Sequence, residues 1–128
     1  MVELRFEGLS RHQSVTLGPA PWFRIAGNHI RQGPGGAVVA QIAKHQWCIG
    51  ERFFSRFDLL GEAKVGFEDA AGLPSGSFGP FTRVFVVDGA MYADEGMLAK
   101  FLEETQLWHC FPTETYWPVL VIEAHPPA

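Results

Sequence analysis

Hydrophobic and polar positions alternate from the start of the chain: Val2, Leu4 and Phe6 are apolar, whereas Glu3, Arg5 and Glu7 are charged. A period of two puts one set of side chains on a buried face and the other in water, so 2–7 reads as a strand. The same reasoning gives strands at 13–17 and 22–26. Gly18-Pro19-Ala20-Pro21 lies between them as a connection, because its prolines have no N–H to give a ladder. Gly33-Pro34-Gly35-Gly36 marks a turn between strands at 29–32 and 37–43. The block 38–57 is apolar on both strand parities, as expected of a strand buried on both faces. Ala63, Val65 and Phe67 alternate again, and 68–79, rich in Gly, Ser, Ala and Pro, reads as the longest loop.

The segment 81–87 is the most apolar strand, and Asp88-Gly89 directly after it is a two-residue hairpin signal, since a type I′ turn needs positive φ at both positions. Beyond it the period changes. At 100° per residue, Met97, Leu98, Phe101, Leu102, Thr105 and Trp108 fall within an arc of about 140°, with Ala99, Glu103 and Gln106 opposite. Asp94 stands where a helix N-cap would, and Pro112 closes the segment. The pattern predicts one amphipathic helix at about 94–107, followed by a final strand at 117–123 with Pro118 near its start. The expected fold is therefore α+β: a mostly antiparallel curved sheet, or a small barrel or sandwich, covered by one helix. It forms a single globular domain over 1–128. There is no βαβ alternation, which argues against a parallel nucleotide-binding sheet, and no internal repeat is evident.

Composition narrows the picture. Nearly half of the 128 residues are apolar and 19% are charged, enough to build a core and too hydrophobic for a disordered chain. No apolar run approaches the roughly 20 residues of a membrane helix, and the alternating N-terminus is not a signal peptide. Two cysteines without an export signal fit a reducing cytoplasm. The net charge is −4, and the region 84–128 holds seven acids against the single base Lys100. Such a balance argues against nucleic acid as a partner, since that partner selects a basic face.

His45, Cys48, His109 and Cys110 are ligand types for zinc, but their spacing is not that of a tetrahedral site, and no metal or cofactor is expected. Cys48 and Cys110 could instead pair, or lie in the core as small hydrophobes. Neither a nucleophile elbow nor a phosphate loop is present, and Gly33 to Gly36 is followed by no P-loop lysine. The bases and aromatics interleaved from Arg52 to Phe57 read as strand core with snorkelling arginines. Glu104 borders the apolar arc of the expected helix, which makes it the best candidate for a general acid or base.

Four tryptophans are many for a chain of this length, and an indole needs both room and a partner for its N–H. Trp47, Trp108 and Trp117, with His45, His109 and Glu104 at the rim, are the expected ligand-binding residues. The function this supports is a binding domain whose aromatic-lined pocket or groove takes a small apolar or mixed molecule, working as a homodimer without nucleic-acid or membrane partners. The rivals are a small hydrolase or isomerase using Glu104 with a histidine, and a protein–protein interaction domain.

Overall fold

The structure is a computed structural model that describes residues 2–8, 10–17, 22–32 and 36–125. Gly18-Pro19-Ala20-Pro21 lies outside them, as do Gly33, Pro34 and Gly35 of the expected turn. Among the described residues the chain is β throughout. The strands of the first half are β1 (Val2–Glu7), β2 (His12–Leu17), β3 (Trp22–Ala26), β4 (His29–Gln32), β5 (Val38–Ala43), β6 (Gln46–Ile49), β7 (Arg52–Phe54) and β8 (Arg56–Leu60). Those of the second are β9 (Glu62–Glu68), β10 (Pro74–Phe81), β11 (Val84–Val87), β12 (Ala90–Ala93), β13 (Gly96–Leu102), β14 (Leu107–Cys110), β15 (Thr115–Trp117) and β16 (Val119–His125).

The α+β expectation is thus corrected to all-β, and the segment 94–107 is a turn, strand β13 and another turn. A β-bulge explains why it resembles a helix. Met91 pairs with Ala99 and Tyr92 with Met97, leaving Leu98 as an extra residue on β13. The bulge resets the parity, so the neighbours Leu98 and Ala99 are both buried, along with Phe101. Leu98 and Phe101, buried at i and i+3 instead of at positions of one strand parity, then imitate the spacing of a helical stripe. Met97, on the inward arc of the expected helix, is 41% exposed. Asp94 lies in a turn at φ 51° and caps no helix.

Among the described residues all strand pairings are antiparallel, in two eight-stranded sheets. The first runs β15-β14-β13-β12-β11-β8-β1-β2 and the second β10-β9-β16-β3-β4-β5-β6-β7. Within the described residues the chain changes sheet where ladder donors are missing or the backbone bends: at Ser55, at Gly61 (φ 125°), at Thr82-Arg83 and at Pro118. The inner faces meet in one buried cluster containing no polar or charged residue among those described. Phe57 lies in its middle, with ring centroids 5.5 Å from Phe6, 5.3 Å from Trp47 and 6.2 Å from Phe23.

The two halves repeat one another. Read backwards, the second sheet is β7-β6-β5-β4-β3-β16-β9-β10, and every strand in it corresponds to the strand eight places away in the first. The registers match. Phe6 faces Phe57 as Phe67 faces Leu120, and Ile42 faces Trp47 as Phe101 faces Trp108. Trp47 faces Phe54 as Trp108 faces Trp117. Val39 forms the counterpart of the Leu98 bulge, between Ile30↔Ala40 and Arg31↔Val38. Even a connecting hydrogen bond recurs: Ile42 N–H donates to Asn28 O at 2.7 Å, and Phe101 N–H to Gly89 O at 2.8 Å. Each sheet takes strands from both halves, so the duplication is interlaced. This corrects the expectation of no internal repeat.

Asp94 ties the sheet-switching corner in place. Its Oδ1 accepts hydrogen bonds from Thr82 Oγ1 (2.8 Å), Arg83 N (2.9 Å) and Thr82 N (2.8 Å). These donors, the Thr82 hydroxyl foremost, hold its carboxyl below the ordinary Asp range. Because the folded value is the lower one, the stability this group contributes is complete above the unfolded pKa. It disappears as pH falls through the folded value. The thermal midpoint of the wild type should therefore fall in acid below the usual Asp range, and Asp94→Ala should flatten that part of the profile. Midpoint-against-pH curves of the same shape for the two proteins would exclude the tether.

Candidate functional site

The sequence-predicted residues are spread over the molecule. Trp47 on β6 and Trp108 on β14 point into the core, 1% and 0% exposed, on opposite sheets. Trp108 Nε1 has no acceptor there. Trp117 is the register partner of Trp108 and is only half-buried. His45 sits in the β5–β6 turn, its backbone N–H donating to Glu103 Oε1 at 2.6 Å and its Nδ1 3.9 Å from the same oxygen. His109 lies on the outer face of the first sheet, stacked on Tyr116 at 4.7 Å and 11° and touching Phe111 at 4.6 Å. Glu104 is exposed in the turn at 103–106. The fold thus joins Trp108 to Trp117 and sets His45 against Glu103, not Glu104.

Of the six, Trp117 lines a substantial cleft. That cleft, about 360 Å³, opens between the edge strands β10 and β15. Its apolar walls are Trp117, Phe67 and Phe78, with ring centroids 6.5 Å apart for Phe67–Trp117 and 6.3 Å for Phe67–Phe78. Ser75, Ser77, Thr113 and Thr115 supply hydroxyls. Trp117 Nε1 donates to Thr115 Oγ1 at 2.8 Å, so its polar group is satisfied locally and the ring serves as a wall. On the other side of β10 a second groove of about 280 Å³ shares Phe67, Gly76 and Ser77 and is bounded by Trp22, which is 44% exposed.

Sequence reasoning missed Phe67, Phe78, Trp22 and the threonines. The strand β10, expected as loop, was the available signal, because an irregular glycine-rich edge often borders a groove. β10 carries two register shifts against β9, and Gly76 has φ 110°.

Among the described residues no three His, Cys, Asp or Glu side chains are grouped to hold a metal ion. Both thiols are free: Cys110 is buried, and partial burial pushes the Cys48 thiol upward. No helix among the described residues is long and apolar enough to cross a membrane.

Fold and groove together define a duplicated, all-β protein of two antiparallel sheets with an aromatic cleft between two sheet edges. No protein-family model matches the chain, and no curated protein or solved structure matches it either.

Proposed function

We propose that this chain is a cytoplasmic, homodimeric binding domain that takes a small apolar or mixed ligand in the cleft between β10 and β15. One observation carries the reading. Phe54, the counterpart of Trp117 in the other half, is packed into the core at 1% exposure, 6.1 Å from Phe6, whereas Trp117 is left half-buried beside open space. A groove of about 330 Å³ borders Phe54 too, but there the ring is withdrawn into the core and Arg11 and Arg52 line the opening, whereas the second half presents its indole to the open space. Aromatic walls, a few hydroxyls and a volume of a few hundred Å³ are the usual makings of a small-molecule site. The acid–base reading has less support, since the carboxylate that meets His45 belongs to Glu103.

The neutral fluorophore N-phenyl-1-naphthylamine tests this. It should bind saturably, one per chain, and Trp117→Leu should weaken it about five- to tenfold, the order of one lost aromatic contact. Phe53→Ser, at an exposed position on β7, the edge of the second sheet opposite β10, should leave binding unchanged. An affinity insensitive to Trp117→Leu, or no saturable binding, would overturn the proposal.

A further inference from the structure

A further cleft, of about 580 Å³, opens on the outer face of the first sheet and differs in chemistry from the aromatic one. Strands β11, β8 and β1 are neighbours there. Asp58 lies between Phe85 and Arg5, and Arg56 between Val87 and Glu7. Arg83, just before β11, adds a third guanidinium to the lining. Three guanidinium groups thus face two carboxylates, an excess of one positive charge on a protein whose net charge is −4.

The partners are unevenly shared. Arg56 binds Asp58 through both ends, Nε to Oδ2 at 2.8 Å and Nη2 to Oδ1 at 2.9 Å, and Arg83 Nη2 comes only within 3.9 Å of Asp58 Oδ1. Arg5 Nε is buried without an acceptor. A buried N–H with no acceptor is costly, and an anion oxygen entering the cleft would relieve it. The other two cations are already arranged. The Arg56 and Arg83 guanidinium carbons lie 4.0 and 4.7 Å from the Phe85 ring centroid, and Phe85 stacks on Tyr92 at 5.1 Å and 11°. Stacked guanidiniums lose less freedom when they bind an oxyanion. The Asp94 tether fixes the backbone from which Arg83 springs.

The duplicated half provides a control. At the matched place on the second sheet, Gly66, Val119, Val121 and Trp22 stand where Arg5, Arg56, Asp58 and Arg83 stand here. Only Glu68 repeats Glu7, and it is paired with Arg24 at 3.0 and 3.2 Å. The same strands pack without the arginines, so the framework does not require them.

We infer that Arg5, Arg56 and Arg83 form an anion site that takes the phosphoryl group of a small phosphorylated molecule. Forked guanidinium donors match phosphoryl oxygens in pairs, and Glu7 and Asp58 keep the arginines aligned while limiting the affinity. The site is independent of the aromatic cleft.

Calorimetric titration at low salt with inorganic phosphate, phenyl phosphate and phenol, on the full chain, tests the inference. Inorganic phosphate and phenyl phosphate should bind saturably and phenol should not. Equal affinities would assign recognition to the phosphoryl group alone, and a tighter ester would add its organic part. Arg5→Gln and Arg83→Gln should each weaken binding about tenfold or more, the order of a charge-assisted pair. Arg52→Gln, an exposed arginine outside this cleft, should not. Both cleft variants should keep the wild-type thermal midpoint within a few degrees and bind N-phenyl-1-naphthylamine as before, which separates this site from the other. Absence of phosphate binding, or binding untouched by Arg5→Gln and Arg83→Gln, would overturn it.

Discussion

Phe57→Ala is expected to cost about 3–5 kcal/mol, the largest loss for any single truncation considered, because the ring is fully buried and its cavity cannot close. Phe57 stands on β8, the strand on which the first sheet turns from its hairpin β1–β2 to its meander β11–β15. It contacts rings from both sheets: Phe6 from the first, and Trp47 and Phe23 from the second. Removing it deprives three large side chains of a neighbour at once, and none can move into the space without leaving its own strand. Its counterpart Leu120 is also fully buried, so Leu120→Ala should cost about 2–5 kcal/mol. Urea or guanidinium unfolding curves give both values. A loss below about 1 kcal/mol at Phe57, the range of surface substitutions, would mean that the two sheets do not share this cluster.

Gly66→Ala is expected to destabilise by about 1–3 kcal/mol through overpacking, although it adds a single methyl group. A Cβ at Gly66 would lie 2.7 Å from the Gly76 carbonyl oxygen, and backbone cannot rotate out of the way as a side chain does. β10 would have to lift from β9, displacing Gly76, Ser77 and Phe78, which border the aromatic groove. Two readouts should therefore move together: the unfolding midpoint and the affinity for N-phenyl-1-naphthylamine. The matched position in the other half is Arg5, where a full side chain is accommodated. The requirement for glycine thus comes from the path of β10 and not from the duplicated framework. Full retention of both stability and binding in Gly66→Ala would contradict the close approach of the two strands.

Much of the strand content was legible because it is local. Val2 to Glu7, Trp22 to Ala26 and the Asp88-Gly89 hairpin follow from alternation and from the demand for positive φ, which Asp88 (55°) and Gly89 (73°) meet. The region 94–107 was not legible. Met, Leu, Ala, Lys and Glu favour a helix intrinsically, and only the pairing of β13 with β12 and β14 overrides that preference. The duplication escaped notice because few identities mark it, chiefly Phe6/Phe67, Glu7/Glu68, Ala40/Ala99 and Trp47/Trp108. The matched turns also differ in length, Lys44-His45 against the turn at 103–106.

The two clefts show the same division. Trp117 was singled out from the sequence as a ring too large to bury easily, but Phe67 and Phe78 join it only because β9 and β10 lie beside β15 across the sandwich. Arg5, Arg56 and Arg83 are far apart in the chain, and antiparallel register between β1, β8 and β11 puts them together. The sequence by itself determined which residues face inward along the cleanly alternating strands and where the Asp88-Gly89 turn falls, because period and φ are properties of neighbouring residues. The block 38–57, read as a strand buried on both faces, is instead β5, β6, β7 and the start of β8, with turns at 44–45 and 50–51. Tertiary structure decided the partner of each strand, the period of the ambiguous segment and which polar groups share a cleft, because sheet hydrogen bonds join residues that the chain order leaves far apart.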